Sequence, residues 1–370
     1  MLRNRFISFT GVLLVGAFAL SSCSKTVEVP FGSMDINVNA GESSASVASS
    51  EETASSVAES SETTDQEPFT YNPHPYSPTI AIEVSQDYWD SLYNMIDAIR
   101  GGKDTFECSS KEAYEWCVDS KNLSNYMPAA CLKIAEKSPD GSKAFENGIG
   151  RIYYTIPAEE LIARENDFEE KVMEAINATV EKDDTEFEKC FKLFNYMACN
   201  YTYRYEEDSV ENFGKEGYIY TTFMQKTGQC IDLAGVYAFL LRQVGIDAFS
   251  VGCHSPIDHE WTYAIINGRG YHLDPTWALK SEYGTDDLYL KTFMMTTEQR
   301  RESGCGVDDI VMQLSPQYWI SRSKIKLTAD DDRYFMGVNA VYDSLDEENK
   351  VLYYLDTDGV KQALKYGEME

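Results

Sequence analysis

Apolar residues in the body of the chain fall into periodic stretches separated by polar breaks. In Gln86–Arg100, QDYWDSLYNMIDAIR, they sit at 88, 89, 92, 95, 96 and 99. That is helical spacing, and Gly101-Gly102 closes the run. The same reasoning predicts helices over Lys111–Val118 and residues 128–137, 159–180 and 185–200, with a weaker helical pattern over 289–300. After residue 230, Leu233, Val236, Tyr237, Leu240, Leu241 and Val244 make a core-facing stripe. Gly245 suits the position just past that helix. Strands are predicted over 150–157, 246–253, His259–Ile266 and 271–274, and as short alternating runs within 324–355. Residues 201–208, YTYRYEED, read as extended. Asn267-Gly268 between two strand patterns is a hairpin signal. The mixture predicts an α+β fold.

The N-terminus follows neither pattern. Arg3 and Arg5 precede an apolar run at 11–20 that is too short to span a bilayer, and Leu20-Ser21-Ser22-Cys23 follows. Residues 1–22 read as a signal peptide. The last four residues resemble the bacterial lipoprotein cleavage box. The resemblance implies a cut before Cys23 and acylation of its thiol, leaving an extracytoplasmic protein anchored to a bacterial membrane. Two or three acyl chains on one cysteine anchor stably where one chain does not. Residues 23–67 read as a disordered tether. The part from 41 to 67 holds nine Ser, six Glu and one Asp, with no Lys, Arg or aromatic residue. Such a segment buries too little apolar surface to offset its ordering entropy, and its like charges extend it.

From Pro68 onward aromatic residues are dense, and the length suits one large domain or two smaller ones. We expect a mixed, mainly helical region at 68–180, a core at 181–300, and C-terminal strands at 301–370 that complete the domain. Without Arg3 and Arg5, 30 basic residues face 61 acidic ones, a net charge of −31 with His neutral. That argues against nucleic acid as a partner. Eight cysteines follow Cys23. Export permits disulfides, but pairing is not legible from sequence. Most are expected as small buried hydrophobes, and Cys190 and Cys199 fall on opposite faces of one helix. No Cys/His spacing fits a structural zinc site, and no phosphate-binding glycine motif occurs, so neither metal nor cofactor is expected. DTDG at 356–359 lacks the later ligands of a calcium loop and reads as a plain turn. Asp330-Asp331-Asp332 reads as a solvated loop.

One cysteine stands out. In TGQCIDLAGVYAFLLRQVG (227–245), Cys230 sits where the apolar helix starts, with Gly228 just before it. A helix N-terminus stabilises a thiolate through free N–H groups and the dipole. A nucleophilic cysteine also needs a histidine, and that histidine needs an orienting group. His74, His254, His259 and His272 are available. With a two-residue turn at Asn267-Gly268, Ile266 faces Arg269 and Trp261 faces Asp274. Asp274 then shares a sheet face with His259, one diagonal step away, within reach of a hydrogen bond. His272 lies on that face too, so parity alone does not choose between them.

Three ordered blocks, GQC, HEW 29 residues after the cysteine, and YHLDPTW ending the hairpin, resemble the core of the transglutaminase-like superfamily, a branch of papain-like enzymes. The likeness covers roughly 185–280. It implies a nucleophile helix packed on an antiparallel sheet. It also implies Cys230 as nucleophile, His259 as general base and acid, and Asp274 as the orienting carboxylate. Tyr220, ten residues before the cysteine, corresponds to a tyrosine that helps hold the oxyanion in many bacterial members. Gln225 and the Cys230 backbone N–H are further possible donors. Trp261 and Trp277 bracket the site and are candidates for a substrate-groove wall. The expected function is thiol acyl transfer on a protein or peptide substrate. Hydrolysis is favoured, because water is abundant outside the cell. Protein cross-linking and a non-catalytic surface binding module are the alternatives.

Overall fold

The structure is a computed structural model that describes residues 67–205, 218–307, 311–312, 325 and 327–369. The expected signal peptide, Cys23 and, apart from Glu67, the tether lie outside the described residues, as do 206–208 of the expected extended segment. In chain order the elements are α1 (Gln86–Arg100), β1 (Thr105–Glu107), α2 (Lys111–Val118), α3 (Ser120–Tyr126), β2 (Phe145–Glu146), β3 (Ile149–Arg151), α4 (Ala158–Asn177), α5 (Glu186–Asn200) and β4 (Thr202–Tyr203). Then come α6 (Tyr218–Gln225), β5 (Thr227–Gly228), α7 (Cys230–Gln243), β6 (Ala248–Cys253), β7 (His259–Ile266), β8 (Arg269–Leu273), α8 (Lys280–Tyr283), α9 (Thr297–Glu302), β9 (Val311–Met312), β10 (Val341–Asp346), β11 (Val351–Leu355) and β12 (Lys361–Lys365). The fold is α+β. Among the described residues no helix is long and apolar enough to cross a membrane.

The central layer is the antiparallel sheet β8-β7-β6-β9. Its β7–β8 hairpin turns at Asn267 (φ 50°) and Gly268 (φ 73°), the paired left-handed conformation of a tight turn. Ile266 pairs with Arg269 and Thr262 with Leu273, the register expected from sequence. One sheet face carries Ala264, Ile266, Tyr271 and Leu273 into a core shared with α5 and α7. α7 is buried along its length, and Gly245 (φ 89°) follows its end. α5 starts with a capping box, in which Thr185 and Glu188 satisfy each other's backbone N–H groups.

The other sheet face carries Phe249, Val251, Trp261 and Tyr263 into a second core. Trp89 and Trp116 from α1 and α2 fill that core and meet edge to face at 5.6 Å. Region 68–180, which has no motif, therefore roofs this face. Ser77 and Thr79 fasten it by donating to the Asp247 carboxylate at 2.5 and 2.6 Å.

Three expectations are corrected. Residues 128–137 are not a helix. A single 3-10 turn, Pro128–Ala130, is followed by Leu132 at φ 60°. The chain then bonds across to 153–155 (Ala135 N–H to Tyr153, Thr155 N–H to Lys133) instead of to itself. Residues 289–300 are mostly not helical either. Tyr289 bridges to Val341 and Met295 to His272, leaving only α9. The C-terminal strands form a separate sheet, β10-β11-β12, packed on α5, while β9 alone extends the central sheet. Asp331 is buried rather than solvated, and it accepts from Arg269 (3.0 Å) and Arg333 (2.8 Å). DTDG is the β11–β12 turn, with Asp356 accepting the N–H of Asp358 and of Val360 at 3.0 Å.

Candidate active site

Cys230 is the first residue of α7 and is buried. Gly228 before it is required by packing. A Cβ there would fall 2.8 Å from both Asp232 Cβ and Thr222 Cγ2. The Gln229 N–H donates to Asp232 Oδ2 at 2.9 Å and so fixes the chain where it enters the helix. Burial pushes the Asp232 carboxyl up to about 6, against the lowering pull of the Gln229 N–H and of Arg204.

Two hydrogen bonds orient α7 on the sheet. Thr262 Oγ1 donates to Ala234 O at 3.0 Å, and Arg242 Nη1 donates to Ala248 O at 2.7 Å. Because Ala248 pairs with Ala264, the N-terminal end of α7 points toward the His259 end of β7.

His259 opens β7 and Asp274 ends the returning strand. Their side chains meet at 2.7 Å between Nε2 and Oδ2, both buried. A 2.7 Å contact also joins Arg300 Nη2 to that same Oδ2, and the Thr276 N–H reaches Oδ1 at 3.1 Å. Burial alone would raise the Asp274 carboxyl. The His259 and Arg300 charges and hydrogen bonds outweigh it and hold it at about 2. Asp274 is therefore an anion across the useful pH range, and it assigns the His259 proton to Nε2. The Trp277 indole N–H aims at the same nitrogen from 3.2 Å. A nitrogen that donates to Asp274 has no lone pair for a second donor, so we read this as a packing contact.

His272 is also on this face, but it is a satisfied core residue. Its Nδ1 accepts from Trp261 Nε1 at 2.8 Å, and its Nε2 faces Thr297 Oγ1 at 3.3 Å. Burial, then Arg300, press it down to about 3, so it stays neutral. His254 is exposed beside Asp258, and His74 stacks on Tyr93 far along the chain.

The other sequence candidates separate. Trp261 is fully buried, beneath Arg300, whose guanidinium lies 4.3 Å from the ring centroid. It is not a groove wall. Trp277 remains 40% exposed beside His259 and can be one. Tyr220 lies on α6 with its ring under the Arg164 guanidinium (3.4 Å) and against Phe168. Gln225 is exposed at the end of α6. The eight described cysteines are all free thiols, and only Cys199 is exposed. One acidic cluster, Asp184, Glu188 and Glu347, brings carboxylate oxygens within 4.8 Å of one another. Lys192, Lys350 and Tyr366 already donate to it.

Sequence reasoning missed Arg300. The one available signal was local: Thr296 and Gln299 form a capping box. That predicts a helix start, but not which of its side chains turns inward.

An α+β core with a cysteine at a buried helix start and a buried His–carboxylate pair on the facing hairpin is a thiol-enzyme type of architecture. Residues 174–275 match the transglutaminase-like superfamily, and the chain carries a domain of that superfamily. The match supports a general thiol acyl-transfer or hydrolase-type function. No curated protein sequence matches the chain. Among solved structures it resembles a candidate cysteine protease from Cytophaga hutchinsonii, at 17% identity over 32% of this chain and 39% of that one (TM-score 0.24). It also resembles a TGase, at 15% identity over 33% of this chain and 34% of that one (TM-score 0.26). Both likenesses are slight, and the chain spans well under half the length of either protein.

Proposed function

We propose that this protein is an exported, lipid-anchored thiol enzyme that hydrolyses amide bonds in surface proteins or cell-wall peptides through Cys230, His259 and Asp274. The observation that carries this reading is the buried His259–Asp274 pair on the hairpin that packs against α7, whose N-terminal end runs toward the His259 end of β7. Asp274 occupies Nε2, so Nδ1 is the nitrogen that exchanges a proton with the Cys230 thiol. The Cys230 sulfur attacks the amide carbonyl carbon, and the oxyanion develops toward the N–H end of the α7 dipole. His259 delivers the proton to the leaving amine as the C–N bond breaks. Water then attacks the thioester, giving its proton to His259, and the freed thiolate recovers that proton. An amine in place of water makes the same site a cross-linking enzyme. Export, and a lipid on Cys23, rest on the N-terminal sequence.

The test is the rate of Cys230 alkylation by iodoacetamide from about pH 4 to 9, with the modified residue located by mass spectrometry. Rapid labelling at acidic pH, lost in His259→Ala, is the expected result. Slow labelling with an ordinary thiol profile, unchanged in the variant, would sink the enzyme reading and favour a binding module on this scaffold.

A further inference from the structure

We infer that Arg300 is a positioning residue that sets the working pH of His259 by sharing the Asp274 carboxylate with it. The inference rests on the proposed role of the His259–Asp274 pair. Its ground is geometric. Arg300 Nη2 and His259 Nε2 both lie 2.7 Å from one oxygen, Asp274 Oδ2. Arg300 and Asp274 are each 1% exposed, so little water screens this triangle. The guanidinium also lies over Trp261, at 4.3 Å from the ring centroid.

A lone buried carboxylate would hold a proton on His259 tightly. The imidazolium formed after thiol attack must give that proton to the leaving amine, and a proton held too tightly is a poor general acid. Arg300 supplies a fixed positive charge to the same oxygen. It makes the Arg–Asp unit nearly neutral, weakens the pull on the imidazolium, and still keeps Asp274 ionised to accept from Nε2. The bond to Asp274 therefore orients His259 without overcharging it.

The remaining charged and titratable groups around His259 do not supply this balance. Cys253 sits opposite it on β6, and its hydrogen bond with Cys305 lowers its thiol to about 7, so it is removed in the test. His272 on β8 is held neutral by its burial. Cys305, just past α9, is buried and its thiol is pushed up by its bond to Cys253. Lys291 lies beyond Trp277, 5.3 Å from that ring centroid. Cys230 at the start of α7 is removed in the test.

The experiment is a ¹⁵N NMR titration of His259 in the full chain carrying Cys230→Ala and Cys253→Ala, so that neither thiolate perturbs the ring. Arg300→Gln keeps a hydrogen-bond donor but removes the charge. It should raise the His259 pKa by about one unit with the Nε2–H tautomer kept. Arg300→Lys keeps the charge and should leave the titration close to that of the parent, even if the domain is less stable. Arg300→Met, which keeps the packed stem, is the second neutral variant. A His259 titration that moves equally in the lysine and neutral variants, or in none of them, would overturn the inference and leave Arg300 a structural ion-pair partner. The measurement does not depend on Cys230. A failed alkylation test together with a shifted titration would reject the enzyme reading but keep the role of Arg300.

Discussion

The two faces of the central sheet are made by the same strands on different terms. The face toward α7 is apolar, with Ala264, Ile266, Tyr271 and Leu273 meeting a helix that buries Leu233, Val236, Leu240 and Leu241. Its polar side-chain links to the helix are Thr262 to Ala234 and Arg242 to Ala248. The opposite face carries His259, Trp261, Tyr263 and His272, together with Asp274 and Arg300, and nearly every polar group there has a stated partner. Volume and shape hold the first face together, since apolar burial is non-directional. Pairing holds the second, because a buried charge or dipole without its partner is costly. The His259–Asp274 pair and Arg300 belong to this second face, which region 68–180 helps to enclose, while Cys230 comes from α7 on the first.

The strongest way to break this contrast is Asp274→Asn. Loss of the anion removes the tautomer control on His259 and leaves Arg300 buried and unpaired. On the proposed function, kcat/KM for amide hydrolysis falls about 10,000-fold. Stability measured by urea unfolding falls by about 3–5 kcal/mol. Retention of most activity would mean that His259 is oriented by something else.

Leu240→Ala probes the apolar face. It removes a fully buried side chain and should cost about 2–5 kcal/mol of stability. It should leave the pH dependence of Cys230 alkylation unchanged. A shifted alkylation profile would show that packing along α7 is coupled to the thiol at its start.

The smallest effect belongs to His272. Its folded value, about 3, lies below the usual histidine value near 6.5, so the unfolded chain binds the proton more readily between them. The stability this contributes is present above about pH 6.5 and is lost as the pH falls toward 3. His272→Gln should flatten that acid slope, which is at most roughly 1.4 kcal/mol per pH unit. An unchanged slope in urea titrations across that range would mean that His272 is not held neutral by the fold. Asp274, held at about 2 against an ordinary value near 3.9, adds its own slope below about pH 5, so the His272 slope is read between about pH 5 and 6.5.

Much of the candidate site could be read before the fold was seen. The Asn267-Gly268 turn sets the hairpin register, and the register sets which side chains share a face. His259 and Asp274 accordingly meet at 2.7 Å. The same parity could not separate His272 from His259. Their difference lies in what each faces, an anion for one and the Trp261 N–H for the other. Trp261 and Trp277 look alike in sequence and part in the same way, one sealed under Arg300 and the other exposed beside the site. The helices expected at 128–137 and 289–300 gave way to backbone bridges with distant segments, which outbid weak local periodicity.

By itself the sequence determined what depends on local spacing: the buried stripe of α7, the start of that helix at Cys230, and the hairpin that aligns His259 with Asp274. These follow from periods of 3.6 and 2 and from turn chemistry, all set by residues close in the chain. Only the tertiary structure decided that Arg300, 26 residues beyond Asp274, becomes its buried counter-charge. It also decided that α1 and α2 roof the sheet face bearing the His259–Asp274 pair. A buried charge takes its partner from whatever the packed chain brings within a few ångströms, and separation along the sequence carries no trace of that choice.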